Sequence, residues 1–341
     1  DKTVTFGYRI DKIPLTDSRP DDFDAFWEKG KAKQAALPLN VAETFVRELD
    51  DAAISDYNVT SASIPEHVDP AGERCRAIRL FKVQFDAPGD KRIHGWLTVP
   101  QGEGPFPAML VLPGAGCGAI PAPVEHARHG YVSLMIQIHG MEVDQATYKT
   151  PEGYLKQIDG PPEEAYYYNV YLACAQAVRY LASRPDVDPK RIATVGASQG
   201  GHLAIVTAAL CPEVAAVVSG ISYYGYWPLR DQVAALNKAK QDGRDAPVPP
   251  PFDRNDPRQH ALSYYDTANF APLVKGATLM GVCLSDTPSP APTVQAVFRR
   301  LGASRKELVW SAGTNHDFII PFERQAWEWV DRVSGYERRG Q

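Results

Sequence analysis

The run Arg191-Ile-Ala-Thr-Val-Gly-Ala-Ser-Gln-Gly-Gly201 constrains this chain more than any other segment. Ile192 to Val195 is the apolar, β-branched pattern of a buried strand, and His202 to Leu210 continues as an Ala-rich helix. Between them Ser198 stands with Gly196 and Gly200 two places to either side. A strand that turns straight into a helix brings two backbones together, and residues without a Cβ allow that approach. The serine is left at a strained corner with its hydroxyl exposed, the arrangement of a nucleophile elbow. Ser198 is therefore the candidate nucleophile.

A serine hydroxyl needs a base to take its proton and an acid to orient that base. Elbow-bearing sheets present these in the chain order Ser, Asp or Glu, His, which leaves His202, His260 and His316 among eight histidines. His202 lies on the helix that follows the serine and is expected to pack beside the sheet. His260 lies in the polar stretch Asp256-Pro-Arg-Gln-His260 and is expected to be solvated. His316 follows the strand pattern Glu307 to Ser311 through Ala312-Gly-Thr-Asn, where a loop off a strand's carboxyl end would present a base. Asp286 occupies the equivalent place after the apolar run Thr278 to Leu284. It also suits a helix N-cap ahead of Pro288. Asp266, in Ser263-Tyr-Tyr-Asp266, is the alternative acid.

Two donors are needed for the oxyanion, and the expected pair is the backbone N–H groups of Gln199 and Ala115. Ala115 lies where the strand Phe106 to Leu112 opens into Pro113-Gly-Ala-Gly-Cys-Gly118. That loop also reads as a degenerate dinucleotide fingerprint, but it does not open a first βαβ unit, and no acidic residue ends the next strand, Tyr131 to Ile138. No P-loop, HExxH or Cys-x-x-Cys pattern occurs. No metal or other cofactor is expected, since water can complete the cycle of an acyl-serine.

The remaining pattern alternates. Strands are expected at 107–112, 131–138, 192–197, 214–221, 277–284 and 307–311, and helices at 163–184, 199–210, 290–302 and 321–334, after a helix at 22–36 and two strands within 77–100. Such alternation predicts an α/β fold, a mostly parallel twisted sheet with helices on both faces. Residues 1–76 read as a lead-in whose helix packs on the core, and 77–341 as the catalytic domain, with an insertion at about 223–260 that carries Val248-Pro-Pro-Pro251. The loop 140–162 belongs to the expected site rim. The run Tyr166-Tyr-Tyr168 reads as helix packing rather than a sugar platform. A net charge of −5 gives no basic footprint for nucleic acid, and no apolar run is long enough to cross a bilayer. The five cysteines form no close pairs and are expected to be free thiols. The chain begins at Asp1 rather than Met. A removed leader, with a periplasmic or secreted location, is favoured over a cytoplasmic one.

From about Asp22 onward the chain resembles the acetyl xylan esterase and cephalosporin-C deacetylase family of α/β-hydrolases, carbohydrate esterase family seven. The resemblance rests on Asp22-Phe-Asp-Ala-Phe-Trp27, Arg92-Ile-His-Gly-Trp-Leu-Thr-Val-Pro100, Gly196-Ala-Ser-Gln-Gly-Gly201, Leu262-Ser-Tyr-Tyr-Asp-Thr-Ala-Asn-Phe-Ala271, Gly281-Val-Cys-Leu-Ser-Asp-Thr287 and Asn315-His316. It implies an α/β-hydrolase fold, Ser198, Asp286 and His316 as the triad, and an acetylated carbohydrate such as xylan or xylo-oligosaccharide as substrate. It also implies a closed acyl site and a homo-oligomer in which the 223–260 insertion takes part. The chain departs from the family pattern at Pro113 and Ala115, where His and an aromatic are usual. Other departures are His139-Gly140-Met141 in place of Arg-Gly-Gln, Pro290-Ala291 in place of paired prolines, and Asp317 in place of Glu. The competing readings are a general short-chain carboxylesterase, a peptidase of the prolyl-oligopeptidase type and a non-catalytic binding protein on the same fold.

Overall fold

A computed structural model describes residues 10–54, 70–89, 91–154, 158, 160–245, 252–317 and 320–337. Val248 to Pro251 of the insertion lie outside the described residues. Among the described residues nine strands form one sheet: β1 (Ala42–Asp50), β2 (Ala77–Ala87), β3 (Lys91–Pro100), β4 (Phe106–Leu112), β5 (Val132–Gln137), β6 (Val187–Ala197), β7 (Val214–Gly220), β8 (Ala277–Cys283) and β9 (Lys306–Ser311). Their order is β1-β2-β3-β5-β4-β6-β7-β8-β9. The first three strands and the β3–β5 pair run antiparallel, and every pair from β5–β4 to β8–β9 is parallel. This is the α/β-hydrolase arrangement.

The central strands are apolar runs because helices cover both faces of the sheet. One face carries α1 (Phe23–Ala36), α3 (Tyr166–Ser183), α4 (Gln199–Leu210) and α8 (Ala291–Arg300) over the larger core. The other carries α9 (Ile320–Ser334), whose Trp327, Trp329 and Val330 pack with Met109, Ala193, Ala216 and Leu279. A short helix, α2 (Val124–Arg128), follows the β4 loop. Helices α5 (Trp227–Gln241), α6 (Pro257–Ser263) and α7 (Thr267–Phe270) lie between β7 and β8. Among the described residues no helix is long and apolar enough to cross a membrane, and the five cysteines are unpaired.

Two of the quoted motifs meet in this core. On α1, Phe23 packs edge-on against Phe270, and Trp27 lies among Tyr168, Tyr171, Tyr265 and Phe270 while its indole N–H donates to the Tyr264 carbonyl at 3.1 Å. Burial of an indole requires such a partner for its N–H. β1 was not foreseen. It hydrogen-bonds to β2 from Ala42 opposite Gln84 to Asp50 opposite Ala77, and of its side chains only Leu49 is buried. An edge strand interleaved with charges carries little of the alternation that marks a strand in sequence.

Candidate active site

The elbow forms where β6 ends. Ser198 adopts φ 56° and ψ −118°, a conformation that L-residues rarely take. Its N–H donates to the Gly220 carbonyl at 2.9 Å and its carbonyl accepts from Tyr223 N–H at 3.1 Å, so neighbouring backbone holds the strained residue. The spacing of the glycines follows from contact distances. A Cβ on Gly200 would sit 2.2 Å from the Leu112 carbonyl oxygen, and one on Gly196 would sit 2.5 Å from the backbone of Gly200. The obstacles are backbone atoms, which cannot swing aside.

Loops off the carboxyl ends of β8 and β9 bring the other two residues to the serine. His316 Nε2 lies 2.8 Å from Ser198 Oγ, and its Nδ1 lies 2.8 Å and 3.0 Å from the two carboxylate oxygens of Asp286. With Nδ1–H donating to Asp286, Nε2 is left to accept the serine proton. The Asp286 side chain is fully buried, whereas His316 is about a quarter exposed (25%). Asp286 also accepts the Ser289 N–H at 2.7 Å, so a capping bond and the histidine contact coexist on one carboxylate.

The alternative residues have other partners. Asp266 is wholly buried, and its carboxylate accepts backbone N–H groups from Tyr226 at 2.7 Å, Trp227 at 2.9 Å and Ala268 at 2.9 Å. It caps α7 and ties it to the start of α5. Burial pushes its pKa up against the pull of those three bonds. His202 is fully buried among the rings of Tyr167, Tyr171 and Tyr224. Burial, with a smaller contribution from Arg230, brings its pKa down to about 3. His260 is exposed on α6.

Gln199 begins α4, where the first backbone N–H groups of a helix have no intrahelical acceptor. Its side chain is buried and does something the sequence reading did not anticipate. The carboxamide Nε2 donates to the Gly114 carbonyl at 3.0 Å, and Oε1 accepts hydroxyl protons from Tyr154 at 2.7 Å and Tyr167 at 2.9 Å. The Tyr154 hydroxyl in turn accepts the Gly116 N–H at 3.0 Å. His139 lies 2.9 Å from the Gly116 carbonyl through Nε2 and 2.7 Å from the Tyr166 hydroxyl through Nδ1. Burial lowers its pKa, which favours a neutral ring that donates to the carbonyl and accepts from the phenol. Gln137 Nε2 adds a bond to the Gly118 carbonyl at 2.8 Å. The loop bearing Ala115 is thus clamped on both sides of that residue. Ala115 itself is exposed, and its neighbour Gly114 lines the cavity beside Ser198 and His316. Tyr166 and Tyr167 therefore combine helix packing with support of this loop.

An α/β-hydrolase whose elbow serine contacts a carboxylate-bound histidine has the constellation of a serine hydrolase. Family comparison narrows the class: the acetyl xylan esterase (AXE1) family profile matches residues 57–333, and the chain belongs to that family. It is a carboxylester hydrolase. The chain is 27% identical over 346 residues to the acetyl esterase Axe7A of Xylanibacter ruminicola, covering 94% of this chain and 71% of that protein. The acetyl xylan esterase of a Paenibacillus species superposes with a TM-score of 0.72 at 24% identity, over 96% of this chain and 99% of that one. Acetyl xylan esterase 1 of a Thermoanaerobacterium species gives 0.72 at 19% identity, over 95% and 98%. These two similarities are of fold.

Proposed function

We propose that the chain removes acetyl groups from acetylated carbohydrates such as xylan or xylo-oligosaccharides, with Ser198 as nucleophile, His316 as general base and acid, and Asp286 as the residue that orients the imidazole. Ser198 Oγ attacks the acetyl carbonyl as its proton passes to His316 Nε2, and the collapse of the tetrahedral species returns that proton to the departing sugar oxygen. Water then attacks the acyl-serine by the same route in reverse and releases acetate. The N–H groups of Gln199 and Ala115 are the donors assigned to the oxyanion, and a preorganised donor of this kind contributes most when charge develops on the oxygen. The observation that carries the reading is the continuous contact from Ser198 through His316 to buried Asp286, at 2.8 Å on each side of the ring. Family membership and the likeness to Axe7A support the choice of acetyl esters.

The test is acetate release from acetylated xylo-oligosaccharides by wild type and Ser198→Ala, with a fluorophosphonate probe reporting on the serine. Replacing Ser198 should cut turnover by a factor on the order of 10⁴ or more and abolish labelling, with circular dichroism unchanged. Wild-type-like turnover by folded Ser198→Ala would reject the assignment.

A further inference from the structure

A cavity of about 450 Å³ has both Ser198 and His316 on its wall. It runs along the α9 face of the sheet, where side chains two apart on a strand share a face. Met109 and Val111 of β4, Val195 of β6 and Val218 of β7 form its floor, and Trp327 and Val330 of α9 face them. Every side chain that the strands contribute is hydrocarbon or thioether. The polar side chains on the described wall, other than the reacting pair, are Glu125 and His126 on α2 and Glu323 on α9.

The volume exceeds what an acetyl ester needs. A methyl group fills roughly the 30 Å³ that one water takes up in the liquid, a small fraction of the space present. The chemistry of the floor also selects between the two halves of an ester. A sugar hydroxyl placed against valine and methionine would give up its water partners for none, at a cost that apolar burial does not offset. An alkyl chain would gain about fourfold in binding for each methylene it buried. Resting on the esterase reading above, we propose that this cavity is an extended acyl site, so that the enzyme takes straight-chain butyryl and hexanoyl esters as well as acetyl esters. This departs from the closed acyl site that the family resemblance implies.

The experiment compares kcat/KM for 4-nitrophenyl acetate, butyrate and hexanoate, whose common leaving group cancels effects on the alcohol side. In wild type kcat/KM should rise from acetate to butyrate to hexanoate, by up to about fourfold for each methylene buried. Ala326→Phe places a ring in the cavity from α9, where Ala326 lines the wall. It should lower the hexanoate-to-acetate ratio at least tenfold. Val330→Phe provides the same test from a second position should Ala326→Phe not fold. If wild type cleaves butyrate and hexanoate at least tenfold more slowly than acetate, the extended acyl site is overturned and the deacetylase reading stands. If both variants slow acetate and hexanoate equally, the chain lies elsewhere and the assignment of this cavity is overturned. If no ester of any length is cleaved and Ser198 takes no fluorophosphonate, the esterase reading itself fails.

Discussion

Tyr154→Phe isolates one oxygen atom. The ring is buried, 4.4 Å from the His139 ring centroid and packed beside Tyr166, and phenylalanine keeps those contacts. What is lost is a hydroxyl that donates to Gln199 Oε1 and accepts the Gly116 N–H. The stability cost is small, because Gln199 Oε1 keeps the Tyr167 hydroxyl and Gly116 is exposed enough for water to replace its partner. One net hydrogen bond is worth ~1 kcal/mol. With an unfolding entropy of about 2 cal/mol/K per residue, a chain of this length should melt about 1–2 °C lower. The kinetic cost should be larger, since the hydroxyl ties the loop on which Ala115 sits to the residue after the nucleophile. Removing a whole oxyanion donor costs about 10²–10³ in kcat. Loosening one should cost less, about tenfold, with KM little changed because the loss falls on the transition state. Steady-state kinetics on 4-nitrophenyl acetate beside a thermal melt give both numbers. A kcat within twofold of wild type, with the melting temperature lowered as expected, would show that Tyr154 merely packs.

What could be read ahead of the structure divides by the range of the interaction. The elbow was legible because its cause is local: Gly196 and Gly200 are required by backbone atoms within a few residues or on the adjacent strand. The order Ser198, Asp286, His316 was legible because each residue ends an apolar strand whose pattern is visible. The choice between Asp286 and Asp266 was harder, since both carboxylates accept a nearby backbone N–H in the manner of a cap. Only the three-dimensional course of the chain separates them, by placing His316 beside one and three backbone donors around the other. Tyr154 was illegible. It belongs to no motif in the 140–162 loop, and its partners Gly116 and Gln199 are 38 and 45 residues away in sequence. His139, noted only as a departure from the family pattern, acquires meaning from its bond to the same loop. β1 left no mark for a comparable reason, since its register is set by backbone pairing with β2 rather than by buried side chains.

Asp266→Ala would leave the buried N–H groups of Tyr226 and Ala268 and the half-buried one of Trp227 without their acceptor, and a cost of about 3 kcal/mol is expected. Chemical denaturation should show that loss while the folded fraction retains kcat; a large fall in kcat at unchanged stability would instead make Asp266 the catalytic acid. His202→Phe should flatten the acid limb of the stability profile. Burial puts the folded pKa of His202 near 3, against the ordinary 6.5 of a solvated imidazole, so between those limits the unfolded chain binds the proton more readily than the folded one. The stabilising contribution is therefore complete above about pH 6.5 and drains away as pH falls toward 3. At pH 4.5 the difference amounts to about 3 kcal/mol. Phenylalanine occupies the nest of Tyr167, Tyr171 and Tyr224 without a titrating nitrogen. Urea denaturation at pH 7 and 4.5 should then show wild type losing about that much more than the variant, after each is referred to its own value at pH 7. Parallel losses in the two proteins would mean that His202 meets its proton without having to unfold, and that its ring is not sealed from water as its burial among the tyrosines requires.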